Sequence, residues 1–169
     1  LEIARADVEA KLEQHHADSF AWAMACCGRE RSEAEDVLQT SYLKVLDGRA
    51  AFASRSSFKT WLFGVIRRTA AEHRRWRAVG RFRSRTIDPA DPAPDPATLV
   101  THSESSARLL AALARVTERQ RQLLHLVFYQ DLTIVEAAGV LGISVGTART
   151  HYERGKQRLR EMLTVENDR

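Results

Sequence analysis

Apolar positions along the 169-residue chain recur three and four apart, and strand-like alternation of apolar and polar residues is absent. This periodicity predicts helices near 4–26, 33–47, 57–78, 104–114, 118–130, 134–141 and 145–163. Three helix starts carry a hydroxyl residue followed three positions later by Glu or Gln, the pattern of a reciprocal capping box: Ser32–Glu35, Thr117–Gln120 and Thr133–Glu136. All four prolines fall in the stretch IDPADPAPDPATL, at Pro89, Pro92, Pro94 and Pro96. A helix interior does not accept that density, because proline lacks the amide N–H and clashes with the preceding turn. The chain is therefore expected to be all-α. A helical domain over 1–84 and a second over 102–169 are joined by a Pro-rich acidic linker over 85–101.

The two last predicted helices belong together. Ile134, Ala137, Ala138 and Leu141 share a face of the first, Gly142 ends it, and Ser144 caps the next. A short helix, a three-residue turn containing glycine and a longer helix make the helix-turn-helix pattern. At about 100° per residue, Val145, Ala148, Tyr152, Gly155, Leu159 and Leu163 gather on one side of the longer helix. Arg149, Thr150, Glu153, Arg154 and Gln157 gather on the other. Arg suits guanine edges and phosphates, Thr a phosphate or a thymine methyl, and Glu a cytosine amino group. That face is expected to read a DNA major groove. The competing reading is an ordinary solvated helix in a bundle.

Charge changes the picture for the first domain. The net charge is only +4, yet residues 54–85 hold ten Lys/Arg against one Asp/Glu, while residues 1–53 hold six against ten. A basic run of this kind suits a polyanion or a plain solvated face. On the helix inside it, Phe58, Trp61, Leu62, Val65, Ile66 and Thr69 face one way, with Trp76 returning to that side. Phe63, Gly64, Arg67, Arg68, Arg74 and Arg75 face the other. An aromatic ring among arginines fits a nucleic acid strand with unstacked bases, since rings stack on bases and Arg holds phosphates. A ring tucked beside a loop fits equally. On the preceding helix, Val37, Leu38, Ser41, Tyr42 and Val45 point inward. Asp36, Gln39 and Leu43 lie elsewhere and make a candidate docking patch.

Other chemistries find little to build on. Cys26 and Cys27 are adjacent, unsuited to pairing with each other, and read as core thiols in a reducing compartment. No Gly-rich phosphate loop, metal-ligand spacing or nucleophile–base signature stands out, so no enzyme, cofactor, metal or small-molecule substrate is expected. No apolar run reaches membrane-span length and no signal peptide opens the chain, which places it in the cytoplasm. With Leu1 rather than Met as the first residue, the native start is expected to lie upstream.

Taken together, EAEDVLQTSYLKVL followed by SSFKTWLFGVIRRTAAEHRR resembles the second conserved region of bacterial RNA polymerase sigma factors. VTERQRQLLHLVFYQDLTIVEAAGVLGISVGTARTHYERGKQRLREML resembles their fourth region. With no third region between them, the layout is similar to the extracytoplasmic-function, or group IV, class of the sigma-70 family. The resemblance implies a promoter-specificity subunit rather than an enzyme. By that resemblance Asp36, Gln39 and Leu43 grip the coiled coil of the polymerase β′ subunit, and the second domain meets the β flap. The loop 48–57 and the helix after it open the −10 element, with Arg67, Arg68, Arg74 and Arg75 holding the backbone; the wheel reading adds Phe63 to this −10 site. Arg149, Thr150, Glu153 and Arg154 read the −35 element. Such proteins are commonly silenced by an anti-sigma factor, often membrane-anchored. Many members carry an Arg-Asn pair where this chain has Arg67-Arg68, so a cation replaces the amide that would contact a −10 base. A stand-alone helix-turn-helix regulator is the alternative, but it leaves the basic first domain without a purpose.

Overall fold

A computed structural model describes residues 5–83 and 104–165; the linker expected over 85–101 lies outside them. Among the described residues there is no strand. The first half holds α1 (Arg5–Gln14), α2 (His16–Cys26), α3 (Arg31–Leu46) and α4 (Phe58–Arg83). The second holds α5 (Glu104–Arg115), α6 (Glu118–Leu124), α7 (Ile134–Leu141) and α8 (Val145–Val165).

Local signals account for most of the boundaries. Thr117 and Thr133 form the expected capping boxes: each hydroxyl accepts a hydrogen bond from the amide three residues on, and the Gln120 or Glu136 side chain reaches back. Gly142 ends α7 in the left-handed region, at φ 61°, where a side chain would be strained. The Ser144 hydroxyl accepts from the Thr147 amide at 3.1 Å and starts α8.

Three expectations need correction. The helix expected over 4–26 is two helices that meet at His15, whose ring stacks on Phe58 at 6.1 Å. The Ser32 capping box does not form, because the Glu30 carboxylate accepts from both the amide and the hydroxyl of Ser32 and caps α3 itself. The helix expected over 118–130 is α-helical only to Leu124. It then widens into a π-helical turn over His125–Tyr129, closed by Gln130 N–H donating to His125 O at 3.1 Å.

The core is continuous through both halves. Trp22, Leu62, Phe63 and Ile66 of the first and Leu123, Leu126 and Leu141 of the second are fully buried in one cluster. Each such side chain withdrawn from water contributes about 1.5–3 kcal/mol. The halves meet where α4 lies against α7 and where α2 meets the π turn. Polar contacts frame this seam. Lys59 pairs with Asp18 at 2.9 Å and donates to Gln130 O at 3.1 Å. The Thr60 hydroxyl donates to Glu136 at 3.5 Å, and Arg74 pairs with Glu118 at 3.2 Å.

Trp76 is not on the core side. It is 76% exposed, because α3 begins level with it, where Glu33 pairs with Arg77, and no further turn of α3 covers the ring.

Candidate nucleic-acid and partner interfaces

The helix-turn-helix forms at the expected residues, but Val145 and Leu163, expected on the packing side of α8, lie near its two ends and are each 37% exposed. Ala137, Ala138, Val140 and Leu141 of α7 are buried, and so are Ala148 and Gly155 of α8. Gly155 lets α8 approach α6: a Cβ there would lie 3.1 Å from Gln120 Cβ and 3.2 Å from Leu124 Cδ1. Glu136 is held below the usual carboxylate range by the amide and hydroxyl of Thr133, so the α7 cap stays ionised. With α8 anchored along that side, Arg149, Thr150, Glu153 and Arg154 all face solvent. The Thr150 hydroxyl donates back to Gly146 O at 3.0 Å, and Glu153 pairs with Lys156 at 3.1 Å. Arg149 and Arg154 make no ion pair among the described residues. Two guanidinium groups, a hydroxyl and a carboxylate thus line one outer face of a rigid helix, with the donors and acceptors that base edges and phosphates need.

The basic helix α4 is divided differently from the wheel. Phe63 is fully buried, not exposed among arginines. Its ring stacks on Trp22 at 6.0 Å, Trp22 Nε1 donates to Phe63 O at 3.0 Å, and the Lys59 ammonium lies 5.6 Å from its centroid. The cause is the second half: α7 packs on this side of α4, which a periodicity read on α4 alone does not register. Arg67 is half-buried beside Gly142, and burial together with nearby Arg119 lowers its pKa. Arg74 donates to Cys26 O at 3.0 Å as well as to Glu118. Arg68 and Arg75 stay exposed. The five residues expected to hold one strand therefore split: Phe63, Arg67 and Arg74 toward the seam, Arg68 and Arg75 toward solvent.

Asp36, Gln39 and Leu43 do form one exposed stripe on α3, with Leu43 at 49% exposure. Gln39 and Leu43 border an open groove of about 440 Å³ between α2 and α3, floored by Phe20, Leu38, Tyr42 and Leu46; Asp36 is not among its lining residues. Phe20 was not singled out by sequence, although its apolar ring in a helix just before the α3 pattern was a usable signal. The exposed Phe128, Tyr129 and Val135 on the second half were also missed, because the π turn rotates Phe128 and Tyr129 out of a regular helix register.

Two further observations concern reactive groups and element lengths. Cys26 and Cys27 are buried free thiols; burial pushes both up, Cys27 to about 11, so neither is a thiolate near neutral pH. Among the described residues no group of His, Cys, Asp and Glu could hold a metal ion, and no helix is long and apolar enough to cross a membrane.

Comparison with known proteins adds the context for these surfaces. Residues 12–79 match the family described as sigma-70 region 2, and residues 112–161 the one described as sigma-70 region 4. The chain is 33% identical over 143 residues to the extracytoplasmic-function RNA polymerase sigma factor SigX of Bacillus subtilis, covering 81% of this chain and 74% of that protein. It is 30% identical over 162 residues to the sigma factor RpoE of Cereibacter sphaeroides, covering 92% and 86%. In fold it is similar to the sigma factor RpoE from Bartonella quintana, solved in complex with the anti-sigma factor NepR. That match has a TM-score of 0.75 and 24% identity, over 94% of this chain and 98% of that one. CnrH, solved with the cytosolic domain of CnrY, matches with a TM-score of 0.65 and 19% identity over 96% and 90%.

Proposed function

The chain belongs to the extracytoplasmic-function class of the sigma-70 family, and from that premise we propose how its surfaces divide the work of promoter recognition. The protein binds core RNA polymerase and directs initiation at promoters with its own −10 and −35 elements, acting in the cytoplasm and without catalysis of its own. The unit over 102–169 reads the −35 element through Arg149, Thr150, Glu153 and Arg154. The unit over 1–84 docks on the β′ coiled coil through Asp36, Gln39 and Leu43 and opens the −10 element along α4. The observation that carries this reading is the α7–α8 pair, an intact helix-turn-helix whose outer face is free and carries groups matched to base edges.

Closure of α4 under α7 gives the reading a second layer. Phe63 is buried and Arg67 half-buried while the halves are together, so the halves separate before the −10 element is held on this face. Core polymerase, by binding each half at its own site, supplies the free energy for that separation and sets the two readers at high effective concentration over one promoter. An anti-sigma factor opposes it by holding the closed form; sigma factors of this fold are known in complexes with such partners.

The test is co-elution of the purified chain with sigma-free core polymerase, alongside Leu43→Asp. Wild type is expected to co-elute and the variant to run free while keeping its circular dichroism. Normal assembly by the folded variant would overturn the docking stripe. Failure of uninhibited wild type to assemble would overturn the polymerase reading.

A further inference from the structure

With Phe63 buried, the aromatic ring that α4 offers to solvent is a different one. Trp76 is the most exposed large apolar residue among those described, at 76%, and Val79 beside it is 50% exposed. The other two tryptophans are not available in this way, since Trp22 is buried and Trp61 half-buried against Phe52 and Phe58. At helical spacing Glu72 and Val79 neighbour Trp76, with Arg75 about 100° around the helix from the ring and Arg68 two turns before it, and all five face solvent. Its carboxylate is already answered: Glu72 accepts from Lys44 of α3. Arg77, next to the ring, is tied to Glu33. Arg68 and Arg75 make no ion pair among the described residues.

We infer that Trp76, between Arg68, Arg75 and Val79, is a stacking platform for an unpaired base of the opened promoter strand. The inference rests on the reading of the chain as a sigma factor but not on separation of its halves, because this stripe is open in the closed form. The charge balance selects a polyanion: ten cationic residues against one carboxylate over 54–85 repel a basic surface and attract phosphates. The ring selects a single strand. In a duplex both faces of each base are covered by stacked neighbours and only edges are offered, whereas an unpaired base presents a face that an indole can cover. Arg75, next to the ring, and Arg68, two turns before it, then hold phosphates on the N-terminal side of the stacked base.

The experiment titrates the full chain with oligothymidylate and, separately, with a duplex of equal length, at low salt. Emission from Trp76 is isolated by subtracting the spectrum of Trp76→Phe. The expected result is quenching of that difference emission by the single strand and not by the duplex. Trp76→Ala is expected to bind the strand about fivefold or more weakly, Trp76→Phe to recover most of the loss, and both to keep the circular dichroism of wild type. An unquenched Trp76 together with wild-type affinity in Trp76→Ala would overturn the platform. So would loss of core polymerase co-elution by Trp76→Ala, which would make the ring a protein contact. Failure of wild type to co-elute would strike the sigma reading alone, and the oligothymidylate titration decides the platform in either case.

Discussion

Helices α4 and α8 are both long, amphipathic and rich in arginine, yet the structure treats their polar faces in opposite ways. On α8 the face carrying Arg149, Thr150, Glu153 and Arg154 looks outward, because α6 and α7 pack on the other side, while Arg154 borders a groove shared with Arg115 of α5. On α4 the face carrying Phe63, Arg67 and Arg74 is met by α7 and α6. A wheel sorts residues by side but does not say how many sides have neighbours. The same arginine chemistry therefore lies open to solvent on one helix and partly covered on the other.

The sharpest way to break this comparison is to truncate one residue on each helix. Phe63→Ala should cost about 3–5 kcal/mol, as expected for removing a fully buried ring, whereas Arg149→Ala should move thermal stability by no more than about 0.5 kcal/mol. Equal melting temperatures for the two variants would mean that Phe63 is not core.

The second contrast lies in DNA. Arg149→Ala or Arg154→Ala should lose about 1–3 kcal/mol of discrimination at one −35 position, read from transcription on single-base promoter variants. Unchanged selectivity in both would remove α8 as the reader.

How far the seam matters is set by pH. Burial, with Arg29 and Lys59 adding, pushes His125 down to about 4. Its ring lies 5.5 Å from Trp22 across the seam, with Gln130 and Tyr129 on its own half. Above pH 6.5 the imidazole is neutral whether the chain is folded or not, and its contribution is fully present. As pH falls from 6.5 toward 4 only the unfolded or opened chain takes the proton, so stability is lost through that window. The loss should be on the order of 1–2 kcal/mol because the ring is only partly enclosed. The difference in melting temperature between wild type and His125→Gln should narrow or reverse across the window; a constant difference would refute the buried neutral ring.

The smallest effect is expected from the rim. Arg74 and Glu118 are each about half exposed, so Glu118→Ala should weaken closure by less than about 1 kcal/mol. Small-angle scattering should show only a modest gain in the extended population.

What could be read before folding and what could not follow the range of the interactions. The Thr117 and Thr133 caps, the Gly142 stop and the free face of α8 all arise within one or two turns, and they were legible; the packing face was legible only in its middle, since Val145 and Leu163 are exposed. The exposed stripe Asp36, Gln39 and Leu43 was legible for the same reason. Ser32 failed as a cap through competition from a neighbour, Glu30, two residues away. Phe63 and Trp76 failed at longer range. The burial of Phe63 depends on α7, more than seventy residues downstream, and the exposure of Trp76 depends on where α3 begins. Their wheel positions were right in angle and wrong in environment. The π turn at His125–Tyr129, which turns Phe128 and Tyr129 outward, breaks the period on which the wheel itself relies.

The central claim is that the part of α4 carrying Phe63 and Arg67 is covered by α7 in the free chain and uncovered on the polymerase. Fluorescent labels at Ala78→Cys on α4 and Gly139→Cys on α7 test it directly. Both sites are exposed, a side chain at Gly139 meets nothing within 4 Å, and the native thiols are buried. The account predicts efficient energy transfer in the free chain and a marked drop when core polymerase and promoter DNA are added. Transfer that stays unchanged while the promoter opens at its normal rate would contradict it.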